Sequence, residues 1–504
     1  MSLIKESNAY KIIRSLDMNE KRYFSIYSRK HVIGERNKDG VIFDILQDLP
    51  VYDESQLKEE VRKRGFDTRY IKADQHYLYQ LILRSLREFH VGKSAHLRVK
   101  ELLIDIEILQ SKGMFPACLK VIASAKRICD QYELFDLALQ VLYWERKIAL
   151  LGITGARKES QILADMKKTN ALQENLLDFT VLHEQAGKLR QKAVALRTKE
   201  ALDQFKLFMK QKYLVNIDSA KSFNAKIRFH QIHAMWKNVT GDKTAELEEN
   251  RKIIDVMDNH GPFSAEYPLD YVSIQSRILA ITKDVHPEKF ATELQSFRSI
   301  QAPEGHLSAA RVKAQVFNFS YMMQMSMLFG KSDFKEASLL FDDVEEGYSL
   351  YGDMLPETSK ITLLYMLSYI AFAKGNLKLA RKKVNTLLNN FEKTVRPEIW
   401  NFARLLNVLI HFDEKNTDTI KSEVASIAYY FKKQGLTYRT ETEVLKFLSR
   451  TNKLHKVNAD EWKRLSQKLE SLQTEGLESK ANVFFDFRLW VKSKLEKRTM
   501  AEVK

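Results

Sequence analysis

The stretch LLYMLSYIAFAKGNLKLARKKVNTLL, residues 363–388, decides how this chain folds. Leu364, Leu367, Ser368 and Ala371 recur at helical spacing on one face. Ala380, Val384 and Leu387 repeat that spacing on a second segment. Between the two, Gly375-Asn376 predicts a turn, because glycine accepts the backbone conformation that ends a helix. The product is an antiparallel helix pair with one apolar side. A single pair cannot bury that side alone, so copies must stack.

Working outward, the same reading predicts helices over 98–112 and 115–131, 134–151 and 157–169, 171–192 and 197–213, and 218–239 and 243–258. Further pairs fall at 266–282 and 287–299, 308–329 and 333–348, 357–374 and 377–393, and 397–413 and 416–433. Helices at 440–451, 460–473 and 479–497 close the chain. Gly113, Gly152, Gly241, Gly330, Gly375, Gly435 and Gly476 coincide with the bends. Only 260–266 and 300–307 carry the Pro/Gly punctuation of longer loops. With 8 Pro and 17 Gly in 504 residues, helix breakers are scarce, and period-two strand patterns are hard to find. The expected class is all-α, an α-solenoid of antiparallel hairpins behind a small helical N-terminal domain.

The pattern resembles the tetratricopeptide repeat (TPR) family. Ser368, Ala371 and Ala380 stand where that motif places small residues, and KGNLKLA, residues 374–380, looks like its turn and second-helix start. GKSDFKEASLLF, residues 330–341, puts Phe334 and Ala337 in the matching places. SKGMFPACLKVIASA, residues 111–125, does so with Cys118 and Ala125, and NVTGDKTAELEENRKII, residues 238–254, follows more loosely. Hairpins recur every ~39–49 residues rather than 34, so HEAT-type repeats of roughly 40–47 stay open as an alternative. The resemblance covers 98–475 and implies a right-handed superhelix with a concave groove that holds a peptide or partner helix and needs no cofactor. In that family the positions of Thr362, Tyr365, Tyr369 and Phe372 line the groove, and Asn401 and Arg404 follow on the next pair. These are the candidate partner-binding residues, since aromatic rings and guanidinium forks suit peptide capture.

Residues 1–95 read differently, as short helices at 8–28, 40–48, 54–64 and 70–90. A short helix, a turn and a longer basic helix is the outline of a helix-turn-helix module and equally of a bundle that covers the first repeat. In the DNA-binding alternative, a ligand-responsive regulator, Arg64, Arg69, Lys72, Arg84 and Arg87 meet phosphates. At the other end, residues 476–504 read as a closing helix and basic tail. Phe484, Phe487, Trp490 and Leu495 form its apolar stripe, beside Lys492, Lys494, Lys497 and Arg498.

Net charge is +16 with pI about 9.4. Residues 1–100 carry 20 Lys/Arg against 14 Asp/Glu and residues 432–504 carry 17 against 10, so the excess sits mainly at the two ends. Such a surplus permits attraction to nucleic acid or to acidic partners. No phosphate-binding glycine loop, GxSxG, HExxH or CxxC pattern occurs, and no enzyme activity is expected. His230 and His233 stand three apart as two metal ligands can, yet no third ligand accompanies them, and helix packing or surface exposure accounts for the pair. Cys118 and Cys129, eleven residues apart on one helix, lie about 16 Å apart along its axis and are read as buried small residues, not a disulfide. With no leader pattern and no membrane-length apolar run, the expected location is cytoplasmic. The expected role is a non-catalytic scaffold or adaptor for a protein or peptide.

Overall fold

Helices account for every regular element in the computed structural model, which describes residues 7–30, 37–196, 199–260, 263–433, 439–451, 457–473 and 484–503. Among the described residues there is no β-strand, and no helix is long and apolar enough to cross a membrane. The chain divides into two units, residues 1–271 with 301–310 and residues 272–300 with 311–504.

The first unit opens with five helices, Asn8–Ser15, Met18–Lys30, Lys38–Asp48, Glu54–Lys63 and Ile71–His90. Ile13, Phe24, Phe43, Leu57, Leu78 and Ile82 are buried in one core between them. The helix expected over 8–28 is two. Leu16 turns extended, and Asp17 and Glu20 then cap each other's backbone N–H at 2.8 Å in a reciprocal box that starts the second helix. Asp53 caps Glu54–Lys63, accepting from the N–H groups of Ser55 and Gln56.

Beyond residue 95 most helices fall where the apolar spacing puts them. The helix expected over 333–348, however, breaks at Leu340 into Phe334–Leu339 and Phe341–Tyr351, and residues 485 and 486 of the helix expected over 479–497 are not helical. One further expectation fails plainly. The second helix of one predicted pair, 157–169, and the first of the next, 171–192, are a single helix, Glu159–Leu196, of 38 residues or about 57 Å. Nothing in it stops a helix: it has no proline, and Asn170 turns its side chain to Glu174 instead of capping a new start. The long helix packs on Phe135–Ala149, Lys199–Phe208 and Phe223–Thr240, with Phe179 and Ala186 fully buried along it.

One turn recurs through the chain. A residue at positive φ ends the first helix of a pair, and the next N–H reaches back five residues to a helix carbonyl. Met114 bonds Leu109, Asp242 bonds Lys237, Asp333 bonds Leu328, Asn376 bonds Ala371 and Asn416 bonds His411, at 2.9–3.1 Å. In three of these the same residue then caps the second helix with its side chain: Asp242, Asp333 and Asn376. Glycine fills the positive-φ position at 113, 241 and 375, but Ser332 and Lys415 fill it elsewhere. The bend assigned to Gly330 therefore belongs to Ser332. Gly435 and Gly476 lie outside the described residues.

Two helix starts in the first unit are held by carboxylates from far along the chain. Glu266 accepts from Ser94 Oγ at 2.8 Å and the N–H of Ala95 at 2.9 Å, at the head of Ala95–Ser111. Glu133, itself at φ 50, accepts from the N–H groups of Phe223 and Asn224 at 2.9 and 3.2 Å. Four orphan N–H groups open every helix, and a negative charge there also meets the positive end of the dipole.

The second unit centres on Glu357–Ala373, buried on nearly all sides. It packs on Leu377–Asn390, Pro397–Asp413, Phe341–Tyr351 and Phe334–Leu339. Ser368, Ala371 and Ala380 are almost fully buried, so small side chains do sit at the helix contacts. Gly347 meets the same need, since a Cβ there would lie 2.1 Å from Cε2 of Phe317. The last helix, Phe487–Glu496, packs on Ala459–Gln473, and its Trp490 is fully buried 5.2 Å from Trp462.

Candidate functional site

Thr362, Tyr365, Tyr369 and Phe372 are brought to one face of Glu357–Ala373, as their spacing requires, but that face is not open. All four are buried, by residues of their own chain. Tyr365 donates its hydroxyl to the carbonyl of Phe484 at 2.9 Å, and the N–H of Asp486 donates to the Tyr369 hydroxyl at 2.7 Å. Phe485 stacks on Tyr369 with centroids 4.7 Å apart and reaches Phe372 at 6.0 Å. Phe484 stacks on Phe402 at 4.9 Å. The link that precedes the last helix is thus held by two hydroxyls on its backbone and by rings on its side chains. Burial pushes both tyrosine hydroxyls well above their ordinary pKa, with the Asp486 N–H bond pulling Tyr369 back, so both stay protonated.

Asp486 is the pivot of the arrangement. Its Oδ1 caps the last helix through the N–H groups of Arg488 and Leu489, and its Oδ2 accepts from Ser332 Oγ at 2.6 Å. Ser332 is the positive-φ turn residue of another helix pair, so a turn and a docked segment share one carboxylate. Lys494 meets Asp413 at 2.6 Å, and the Ala501 N–H bonds the Ala373 carbonyl at 3.0 Å, carrying the seam past the last helix. Burial raises the Asp413 carboxyl while Lys494 draws it down.

Thr362 is engaged as well, donating to the Thr358 carbonyl and accepting from Arg396 at 3.2 Å. Asn401 is buried on Pro397–Asp413. Arg404 bonds Glu423 at 3.2 Å and Ser426 at 2.9 Å, with its guanidinium 5.3 Å from the Trp400 ring centre. The Arg404 guanidinium is therefore engaged within the chain, and the Asn401 side chain is buried. The sequence showed both an aromatic face and an aromatic C-terminal helix; their pairing left no periodic signal.

A second set of expected residues lies in the first unit. Arg64, Arg69, Lys72, Arg84 and Arg87 are all exposed. The helix Ile71–His90 buries Ile71, Gln75, Leu78, Leu81, Ile82 and Ser85 against the helices before it. Its outer face carries Lys72, His76, Gln80, Arg84 and Arg87 within an arc of about 120°. Tyr70 and Tyr77, 65% and 43% exposed, flank that arc. The turn before the helix spans 64–70, longer than the 3–4 residues of a helix-turn-helix.

His230 bonds Glu249 at 2.8 Å and His233 bonds the Leu214 carbonyl at 3.0 Å, so the pair serves packing. Among the described residues no group of three His, Cys, Asp or Glu is placed to hold a metal ion. Cys118 and Cys129 are buried, free thiols. Compared with known protein families, with curated proteins and with solved structures, the chain matches none.

Proposed function

We propose that this chain is a non-catalytic, TPR-like helical-repeat scaffold that binds a protein or peptide partner. Three features support the repeat reading: helices that pack on their sequence neighbours, small residues buried at those contacts, and one turn geometry returning every ~40 residues in the second unit. The observation that carries the binding reading is the grip of Tyr365 and Tyr369 on Phe484 and Asp486. Hydroxyls that bond backbone atoms hold a chain segment whatever its sequence, and the ring platform then selects aromatic side chains. The partner that fits this chemistry is a peptide with two adjacent aromatics followed by a carboxylate. The platform is filled in cis, so such a partner enters only by exchange with residues 484–486. A tethered segment acts at an effective concentration of about millimolar, which sets the level a free peptide must match.

Exchange tests the reading directly. A protease site is placed within 474–483 of the full-length chain, the chain is cut, and a fluorescein-labelled peptide of residues 484–503 is added. Anisotropy rises as the labelled peptide replaces the cut segment, and a Tyr365→Phe, Tyr369→Phe chain takes it up less tightly. Release of the cut segment with no uptake of labelled peptide by a chain that keeps its helical circular dichroism refutes the proposal.

A further inference from the structure

We infer that the outer face of Ile71–His90, with the turn that precedes it, binds the phosphate backbone of nucleic acid. The inference is independent of the peptide reading, since it rests on other residues in the other unit. The inner face of the helix is packed, which fixes the backbone and leaves the outer side chains to the solvent. Two buried polar contacts hold its ends in place: Gln75 accepts from the Tyr52 hydroxyl at 3.1 Å, and His90 meets Glu20 at 2.7 Å. A fixed helix with an exposed cationic face is a preorganised surface.

The charges on that face are available. Among the described residues, no carboxylate lies within ion-pair distance of Arg64, Arg69, Arg84 or Arg87, and Lys72 meets Glu54 only at 3.9 Å. Glu88, the acidic neighbour at the far end, accepts from the Tyr23 hydroxyl at 3.5 Å. From Lys72 to Arg87 the cations run about 22 Å along the helix, enough to follow several phosphates of a duplex that carries one charge per ~1.7 Å. Between them stand His76, Tyr77 and Gln80, which hydrogen-bond or stack as sugar and base contacts require. An anionic membrane would ask for several large, exposed apolar side chains beside the cations, and apart from the two tyrosines only the half-buried Leu83 in this arc is large and apolar. The long turn at 64–70 argues for contact led by the backbone and not for sequence readout through a helix-turn-helix.

The test uses the full-length chain and a fluorescein-labelled 20-bp duplex, with Kd measured by anisotropy from low to physiological salt. The wild-type chain binds in the non-specific range, about 10⁻⁴–10⁻⁶ M at physiological salt, weakening steeply as salt rises. A Lys72→Gln, Arg84→Gln, Arg87→Gln chain loses at least tenfold at low salt, and its slope of log K against log salt falls by about 2.7. A charge-matched control, Lys188→Gln, Lys206→Gln, Lys463→Gln, removes exposed cations elsewhere and keeps affinity within about twofold. Circular dichroism melting of each chain reports that it is folded. Equal loss in both triple variants assigns binding to net charge alone and overturns the proposal. So does absence of duplex binding at low salt, or a preference for anionic phosphatidylserine vesicles over duplex.

Discussion

Phe485→Ala measures how much of the second unit hangs on the docked segment. Phe485 is 1% exposed and touches Tyr369, Phe487 and Phe372 at centroid distances of 4.7, 4.8 and 6.0 Å. Emptying a buried phenylalanine site costs about 3–5 kcal/mol, toward the upper end here because ring pairs add about 0.5–1.5 kcal/mol each beyond area. For a unit of this size that corresponds to a fall in Tm of roughly 6–20 °C. Calorimetry of the full chain reads the shift, and hydrogen exchange with mass spectrometry locates it. Protection falls in Glu357–Ala373 and Phe487–Glu496 and stays unchanged in Ile71–His90. Tyr369→Phe serves as the fine control: the ring remains, only the acceptor for the Asp486 N–H is lost, and the cost drops to about 1–3 kcal/mol. A Phe485→Ala chain that melts within ~2 °C of wild type, with protection intact in both helices, would refute the idea that this segment closes the second unit.

Other outcomes follow from single sites. Gly347→Ala drives a methyl into Phe317 and destabilises the second unit by about 1–3 kcal/mol in urea unfolding, whereas Gly187→Ala, with open space around it in the long helix, stabilises by about 0.5–1 kcal/mol. Glu266→Ala removes the acceptor at the head of Ala95–Ser111 and costs about 0.5–2 kcal/mol, read as faster amide exchange at residues 95 and 96. Burial pushes the Glu249 carboxyl up, but hydrogen bonds and charge from His230 and Lys252 outweigh it and hold the group down at about 2. A depressed carboxyl stabilises the fold above its unfolded value of 4.5 and loses that contribution as pH falls toward 2, up to about 3 kcal/mol. The gap in stability between wild type and Glu249→Gln therefore narrows across that window, as acid titration followed by circular dichroism at each pH will show.

Local patterning carried most helix positions, because an apolar stripe and a cap are both written within one turn or two. The pair around Gly375-Asn376 is the clearest case, with Asn376 capping the second helix through the Leu379 N–H. Where the residue type and the local backbone disagree, the reading slips. Ser332 occupies a conformation that favours glycine, so its turn was assigned to Gly330 two residues earlier, whereas the bend at Lys415 was placed between the right helices without a glycine to mark it. The capping box at Asp17–Glu20 was visible as Asp-x-x-Glu but sat inside a continuous apolar pattern that masked the break. The aromatic face of Tyr365 and Tyr369 was legible as a face; what covers it comes from more than a hundred residues away. Periodicity says which side of a helix is apolar and nothing about which distant segment will lie on it. The exposed cations of Ile71–His90 are the opposite case, since their distance from the apolar stripe alone puts them on the outside.

The carboxylate of Glu266 at Ala95–Ser111 has a consequence during synthesis. A nascent chain that has just released residues 94–96 lacks their acceptor until about 170 further residues have emerged, roughly 10–35 s at ordinary elongation rates. Phe223 and Asn224 have the reverse experience, arriving to find Glu133 already made. The first unit thus cannot mature strictly in the order of its translation, and a chain halted after residue 132 has emerged but before Glu266 would hold the hairpin of Ala95–Ser111 and Phe115–Tyr132 formed but not yet locked.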